Sequence, residues 1–291
     1  MTTRISVPVT TVWTGADAPR PQDAPIIAPE PDPDAWNRAL LDAPPSALHG
    51  RTVTQALLGE PVQVRGERNG WAEVILPWQP SSADPDGYPG WVPATHLVES
   101  DARSRPDRVV VTAPTVAVGA SQVSYGTILD VVDRSPESVR VAMPGDGEYT
   151  LDATTVVDVA GSATRADAEA MLDSARGFVG LRYLWGGTSA WGMDCSGFVH
   201  LVHRRFGITV PRDAFDQIVA TTRTESAAPG DLYFFARSNG RISHVGFATS
   251  AADPNLAMLH APDDDRFQYI EEGPMAQSRR DRLAGAGSFL A

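Results

Sequence analysis

RYLWGGTSAWGMDCSGFVHLVHRRFGITVPRDAFDQ, residues 182–217, holds the chain's single cysteine and the segment that presents it. Phe198, Val199, Val202 and Phe206 recur at the spacing of one helical face, so the sequence predicts a helix over Cys195–Phe206. Asp194 stands where an N-cap belongs and Gly207 where the helix stops. Upstream, Arg165–Arg176 puts Ala168, Met171, Leu172 and Ala175 on one stripe closed by Gly177, and downstream a shorter helix starts near Asp213. Strand patterns follow at 231–236 (DLYFFA), 242–248 (ISHVGFA), 256–260 (LAMLH) and 267–270 (FQYI). Helices first and strands afterwards describe an α+β domain over 161–291.

The half before this domain has another texture. Pro61-Val-Gln-Val-Arg65 and Trp71-Ala-Glu-Val-Ile75 alternate like half-buried strands, joined by Arg68-Asn69-Gly70, a tight hairpin signal. With the closing Gly-Trp-Val-Pro at 90–93, residues 1–99 resemble a small all-β bacterial SH3-like barrel. A Pro- and Asp-rich excursion at 17–47 interrupts it, too long for a simple loop: either disordered or an insertion packed on a neighbour. A weaker echo fills 100–160, with Gly126–Val132 and Ser138–Ala142 as paired strands of a second barrel. Glu99–Arg108 is a polar linker between the two.

Composition narrows the function. The chain has 291 residues, 42% of them hydrophobic and 21% charged, as in an ordinary soluble protein. Nothing approaches a transmembrane span, and MTTRISVPVT lacks the apolar core of a signal peptide, so a cytoplasmic location is expected. A formal charge of −12 argues against nucleic-acid binding and against adhesion to anionic membranes. One cysteine excludes an internal disulfide, and no Cys/His group has zinc spacing; neither metal nor organic cofactor is expected.

A lone cysteine is either a small buried hydrophobe or a nucleophile. Cys195 opens a helix, where unpaired backbone N–H groups and the helix dipole favour a thiolate. Its base must be a histidine brought near by the fold. His49 and His96 lie in the barrel half, while His200 and His203 follow on the cysteine's own helix and read as solvated surface. His244 and His260 remain, on strands joined by Ser250–Asn255. Antiparallel pairing centred near residue 252 would set them opposite each other, with Cα atoms about 5 Å apart.

Several blocks then stand in one order: Tyr183-x-Trp-Gly-Gly, Asp194-Cys-Ser-Gly-Phe, Pro211-Arg-Asp, Gly230-Asp-Leu, Ser243-His-Val-Gly and Leu259-His-Ala-Pro. Residues 161–291 thereby resemble the NlpC/P60 cysteine peptidases. The resemblance implies a papain-like α+β fold, with Cys195 as nucleophile, His244 as general base, His260 as orienting residue and Tyr183 beside the sulfur.

Two SH3-like domains ahead of such a core are similar to the γ-D-glutamyl-L-diamino acid endopeptidases. These cut murein-derived peptides bearing a free N-terminal L-Ala, so the expected partner is a small murein peptide. On that likeness Asp194, Ser196 and Asp213 line the amine pocket, and Glu60 and Tyr88 match barrel residues that approach the substrate. Trp185 and Trp191 either line the cleft or only pack. Asp194 and Asp213 have a plainer reading as helix caps, Glu60 as an exposed strand residue and Tyr88 as barrel core. Ala214 departs from the pattern, because a Ser commonly follows Pro-Arg-Asp, and one ligand hydrogen bond is lost with it. Two rival readings are a hydrolase of intact peptidoglycan and a degenerate wall-peptide-binding protein.

Overall fold

Asn69 and Gly70 both adopt left-handed backbone, with φ of 51° and 79°. They turn β4 (Pro61–Arg68) back onto β5 (Trp71–Leu76), with Arg68 opposite Trp71. In this computed structural model, which describes residues 2–100, 107–145, 147–159, 161–250, 256–263 and 269–291, that hairpin belongs to a seven-stranded sheet. The other strands are β1 (Thr2–Ile5), β2 (Val9–Trp13), β3 (Thr52–Leu57), β6 (Tyr88–Pro93) and β7 (Leu97–Ser100), in the order β3-β2-β6-β5-β4-β1-β7. Ile5, Val12, Val62, Ala72, Val74, Leu76 and Val92 form its core.

A second, five-stranded sheet follows in the order β13-β12-β11-β8-β14. It uses β8 (Arg108–Val111), β11 (Ile128–Arg134), β12 (Ser138–Ala142), β13 (Glu148–Asp152) and β14 (Val156–Asp158), while β9 (Thr115–Val118) pairs separately with β10 (Ser121–Ser124). The expected pairing of β11 with β12 is present, Val131 lying opposite Val141. Leu58 inserts into this second core, so the two β regions share packing. Both sheets are open in strand order where closed barrels were expected. In the first, β1 enters between β4 and β7, which leaves β7 at an edge instead of meeting β3.

The 17–47 excursion is ordered and helical. It contains α1 (Ala24–Ile27) and α2 (Pro33–Ala39), the latter capped by Asp32 accepting from the Ala35 N–H at 2.8 Å. Trp36 anchors it: the ring is buried, its indole N–H donates to Asp23 at 2.8 Å, and Trp13 lies 6.4 Å away. The Arg20 guanidinium holds the buried Asp23 through two hydrogen bonds, 2.8 and 2.9 Å, so the carboxylate is not left unpaired.

The chain divides into two units, Met1–Val159 with Trp185–Trp191, and Ala160–Leu184 with Gly192–Ala291. Seven residues of the opening motif thus belong to the first unit. They are tied there by β15 (Thr188–Ser189), whose Thr188 N–H and Ser189 hydroxyl donate to Gln55 Oε1 at 3.1 and 2.9 Å. Gly186, with φ of 77°, lets the chain pass Thr52: a Cβ there would sit 3.2 Å from its hydroxyl oxygen.

In the second unit the helices come first, as the texture predicts. α3 (Ala168–Arg176), the short β16 (Gly192–Met193), α4 (Cys195–Arg205) and α5 (Ala214–Ala220) precede a six-stranded sheet. The sheet runs β17-β22-β18-β19-β20-β21, built from β17 (Thr222–Thr224), β18 (Leu232–Ala236), β19 (Ile242–Ala248), β20 (Met258–His260), β21 (Glu271–Gly273) and β22 (Leu283–Ser288). A turn of helix, α6 (Gln277–Arg280), precedes β22. Phe198 of α4 meets Phe178 and Phe247 edge-on at 6.3 and 5.5 Å, fixing α4 against β19. Parts of three sequence expectations, the linker at 101–106, the connection at 251–255 and the first half of the 267–270 strand, lie outside the described residues.

Candidate active site

Cys195 is the first residue of α4, and Asp194 caps that helix by accepting from the Gly197 N–H at 2.7 Å. The thiol is buried, 6% exposed, and the Val245 backbone N–H donates to its sulfur. Since Val245 directly follows His244 on β19, the packing of α4 on this strand sets Cys195 against backbone one residue away from the histidine.

The hairpin register differs from the sequence expectation. Phe247 pairs with Leu259 and Ala248 with Met258, which sets Gly246 rather than His244 across from His260. The slip is two residues, so both imidazoles keep the same face; a slip of one would have parted them. They meet diagonally, with His244 Nε2 and His260 Nδ1 2.9 Å apart and the rings nearly perpendicular at 87°. Gly246 makes the approach possible, because a Cβ there would lie 2.7 Å from His260 Cβ.

The network fixes the tautomers. Glu271 on β21 can only accept, and His260 Nε2 stands 3.5 Å from its carboxylate, which favours a proton on that nitrogen. His260 Nδ1 is then the acceptor for the His244 Nε2–H. His244 Nδ1 is left as a bare lone pair, buried and without a hydrogen bond. Asp263 Oδ1 is 3.5 Å from it, an ion pair only when the ring is protonated. Burial, with Arg279 next and His260 itself after it, holds the His244 pKa well below the usual imidazole range, so the lone pair is free at neutral pH.

Burial opposes the thiolate expected at the helix tip. Burial pushes the Cys195 thiol up, and the Asp194 and Asp263 carboxylates push the same way, against the Val245 N–H and Arg212. A helix terminus contributes at most about 2 kcal/mol, or some 1.5 pKa units, whereas full burial shifts a group by as much as ~3–5. Burial thus works against both the thiolate and the imidazolium at this site. Tyr183 is also buried; burial first, then Cys195, raises its pKa well above 10, so its hydroxyl stays a donor beside the sulfur.

Around the α4 cap lies a group that the sequence did not single out. Arg212, fully buried, grips Asp194 with Nη2 to Oδ2 at 2.7 Å and Nη1 to Oδ1 at 3.0 Å, and also donates to the Ser196 hydroxyl at 3.0 Å. The Asp194 carboxylate is thus both helix cap and buried ion-pair partner. Asp213 stands at the α5 N-cap position without a capping side-chain bond, and Ala214 behind it is buried. His200 and His203, expected on the surface, are buried in α4. His200 Nδ1 donates to Val210 O at 2.8 Å, while His203 Nδ1 donates to Val199 O at 2.8 Å with its ring stacked on Phe247. Among the described residues no group of His, Cys, Asp or Glu is arranged to hold a metal.

With this geometry in hand, known proteins give a consistent match. The NlpC/P60 family model matches residues 180–279, and a bacterial dipeptidyl-peptidase Sh3 domain model matches 45–97. A gamma-D-glutamyl-L-lysine dipeptidyl-peptidase of Bacillus cereus is 34% identical over 91% of this chain and 84% of its own length. A Bacillus subtilis protein of the same name is 33% identical over 87% and 88%. A crystal structure of an NlpC/P60 family protein from Bacillus cereus superposes with a TM-score of 0.90 at 30% identity, covering both chains fully. The chain belongs to the NlpC/P60 family of cysteine peptidases.

Within the first unit, the NlpC/P60 chain holds four more of the residues singled out above. Glu60 is buried in the β3–β4 connection rather than exposed on a strand, accepting from the Leu57 N–H at 3.0 Å and from Gln79 at 3.2 Å. Tyr88 opens β6 and packs on the first core. Trp185 donates from its indole N–H to Thr52 O at 3.3 Å and lies 4.0 Å from the His49 ring. Trp191 is nearly fully buried. Arg212, Asp263 and Glu271 were missed in the sequence: the first sat in plain view within Pro-Arg-Asp, the other two in short acidic runs on either side of the 267–270 strand pattern that read as solvent-facing.

Proposed function

We propose that this NlpC/P60 peptidase hydrolyses the γ-D-glutamyl–diamino acid bond of small murein-derived peptides with a free N-terminal L-Ala, in the cytoplasmic recycling of wall peptides. One observation carries the reading: a buried His244 Nδ1 without a hydrogen bond, its ring backed by His260 and Glu271, on the strand whose next N–H touches the Cys195 sulfur. The names borne by the Bacillus relatives support the choice of bond.

In the proposed reaction the Cys195 proton passes to His244 Nδ1 as the sulfur bonds to the γ-carbonyl carbon. The developing oxyanion is met by donors, the Tyr183 hydroxyl and the N–H groups at the α4 start. His244 then gives its proton to the leaving diamino acid nitrogen as the C–N bond breaks, leaving a thioester. Water, deprotonated by the same imidazole, cleaves the thioester and restores the thiol. His260 holds the ring in the productive tautomer throughout. Asp213 is proposed, with Ser196 and Asp194, to receive the substrate ammonium; because Arg212 already neutralises Asp194, Asp213 carries most of that charge pairing. Glu60, Tyr88 and Trp185 are proposed substrate contacts on the family resemblance alone.

The test is a comparison of L-Ala-γ-D-Glu-L-Lys, its N-acetylated copy and intact sacculi. Release of L-Ala-D-Glu from the first alone supports the reading. Equal turnover of the acetylated peptide removes the amine requirement, and turnover of sacculi only would move the enzyme to the wall.

A further inference from the structure

Beyond His260 the second unit encloses a cavity of about 310 Å³ that the reaction above leaves unused. It is at the small end of ligand pockets, which span ~300–1,000 Å³, and so suits one amino acid better than a longer peptide. Its lining combines both signs of charge, Asp263 and Glu271 against Arg279 and Arg282, over the apolar side chains of Met258 and Met275. Such a wall matches a zwitterion.

Two details tie the cavity to the scissile bond. Asp263 Oδ1 is shared: it lies 3.5 Å from His244 Nδ1 and 3.5 Å from Arg279 Nη2. The amine that departs takes its proton from His244 Nδ1, so the residue bearing that amine leaves from beside Asp263, at the cavity's edge. The second detail is an unmet donor. The Arg279 guanidinium lies over the Phe235 ring at 5.6 Å, and its Nη1 is buried without a hydrogen-bond partner. Unpaired buried donors are rare in folded proteins and mark sites where a partner is absent. Arg282 is anchored by Nε to Ala236 O at 3.0 Å and by Nη2 to the Ser243 hydroxyl at 3.3 Å.

We propose that this cavity is the subsite for the residue on the amine side of the cleaved bond, and that Arg279, seconded by Arg282, binds that residue's free α-carboxylate. Asp263 then faces the newly formed α-ammonium, and Glu271 lies across the cavity for a second, side-chain ammonium. The inference rests on the peptidase reading and adds a substrate rule: the diamino acid must end in a free carboxylate.

The test is calorimetric titration of free L-lysine and of L-lysinamide into the full-length protein and into Arg279→Gln. Neither ligand carries a γ-glutamyl bond, so this readout stands apart from any failure of the hydrolysis assay. Charge-assisted hydrogen bonds predict that L-lysine binds about tenfold or more tighter than the amide. Arg279→Gln should erase the preference by weakening L-lysine alone. Equal affinity of the two ligands for the unaltered protein, or no binding of either at millimolar concentration, overturns the proposal. So does an Arg279→Gln protein that keeps the preference; if that variant melts early, the comparison in the unaltered protein still decides.

Discussion

Gly246→Ala probes the link between the hairpin and the histidine pair. A Cβ at 246 would sit 2.5 Å from Met258 Cε, 2.7 Å from His260 Cβ and 3.2 Å from Leu259 O. The methionine tip can swing away, but His260 Cβ is fixed to the β20 backbone. Restoring an ordinary contact of 3.4 Å requires His260 to retreat by about 0.7 Å. Carried to the ring, that stretches the 2.9 Å His244–His260 contact towards roughly 3.6 Å, where it is no longer a hydrogen bond. Overpacking of this kind costs about 1–3 kcal/mol of stability, which the fold can absorb. The active geometry cannot: a shift approaching 1 Å costs about a hundredfold, so kcat/KM should fall by about 10- to 100-fold. The assay is dipeptide release from L-Ala-γ-D-Glu-L-Lys, with circular dichroism to confirm folding. Gly161→Ala, where nothing lies within 4 Å of the added carbon, is the control and should leave the rate unchanged. A folded Gly246→Ala enzyme within about twofold of the parent would refute the role given to His260 contact geometry.

Three further outcomes follow from the burial of charge. Arg212→Gln strands the Asp194 carboxylate and should cost about 3–5 kcal/mol in urea unfolding, partly recovered by adding Asp194→Asn; a loss under about 1 kcal/mol contradicts the ion-pair account. Burial pushes the His203 pKa from 6.5 down to about 4, so the unfolded chain takes up this proton first as pH falls. Stability from this group is full above pH 6.5 and declines towards pH 4 by up to about 3 kcal/mol, so thermal melts should drop through that window, and His203→Leu should flatten the drop. Finally, burial raises the Cys195 thiol, so alkylation by neutral iodoacetamide should keep accelerating through pH 9; a plateau below pH 7 would reveal a resting thiolate–imidazolium pair.

What the sequence made legible had strong local signals. The apolar spacing of Phe198, Val199 and Val202 gave α4, Asn69-Gly70 gave the β4–β5 hairpin, and short apolar runs gave β18 and β19. Where the determinant was long-range, the reading failed. β22, Leu-Ala-Gly-Ala-Gly-Ser, has no large apolar alternation, yet it lies inside the sheet between β17 and β18. Its small residues are needed there, because a Cβ on Gly287 would meet the Thr221 hydroxyl oxygen at 2.3 Å. The β19–β20 register was misplaced by two because loop symmetry does not see side-chain size, and Gly246 is what allows His260 to close in. His200 and His203 look solvated by polarity, but each satisfies Nδ1 with a backbone carbonyl inside the packed unit. Cys195 and the pair His244 and His260 were singled out because their chemistry names few alternatives, and the family resemblance chose His244 as the base. Their supports, Arg212 and Glu271, were hidden because charged residues carry no mark of burial or partner in one sequence.

The central claim is that Cys195 attacks the γ-glutamyl carbonyl while His244 carries the proton. Its most direct test is acid-quench mass spectrometry of the enzyme during turnover of L-Ala-γ-D-Glu-L-Lys, followed by peptide mapping. The account predicts an L-Ala-γ-D-Glu thioester on the peptide containing Cys195, and neither adduct nor product with Cys195→Ala. Product formation by Cys195→Ala, or an acyl group mapped to another residue, would contradict it.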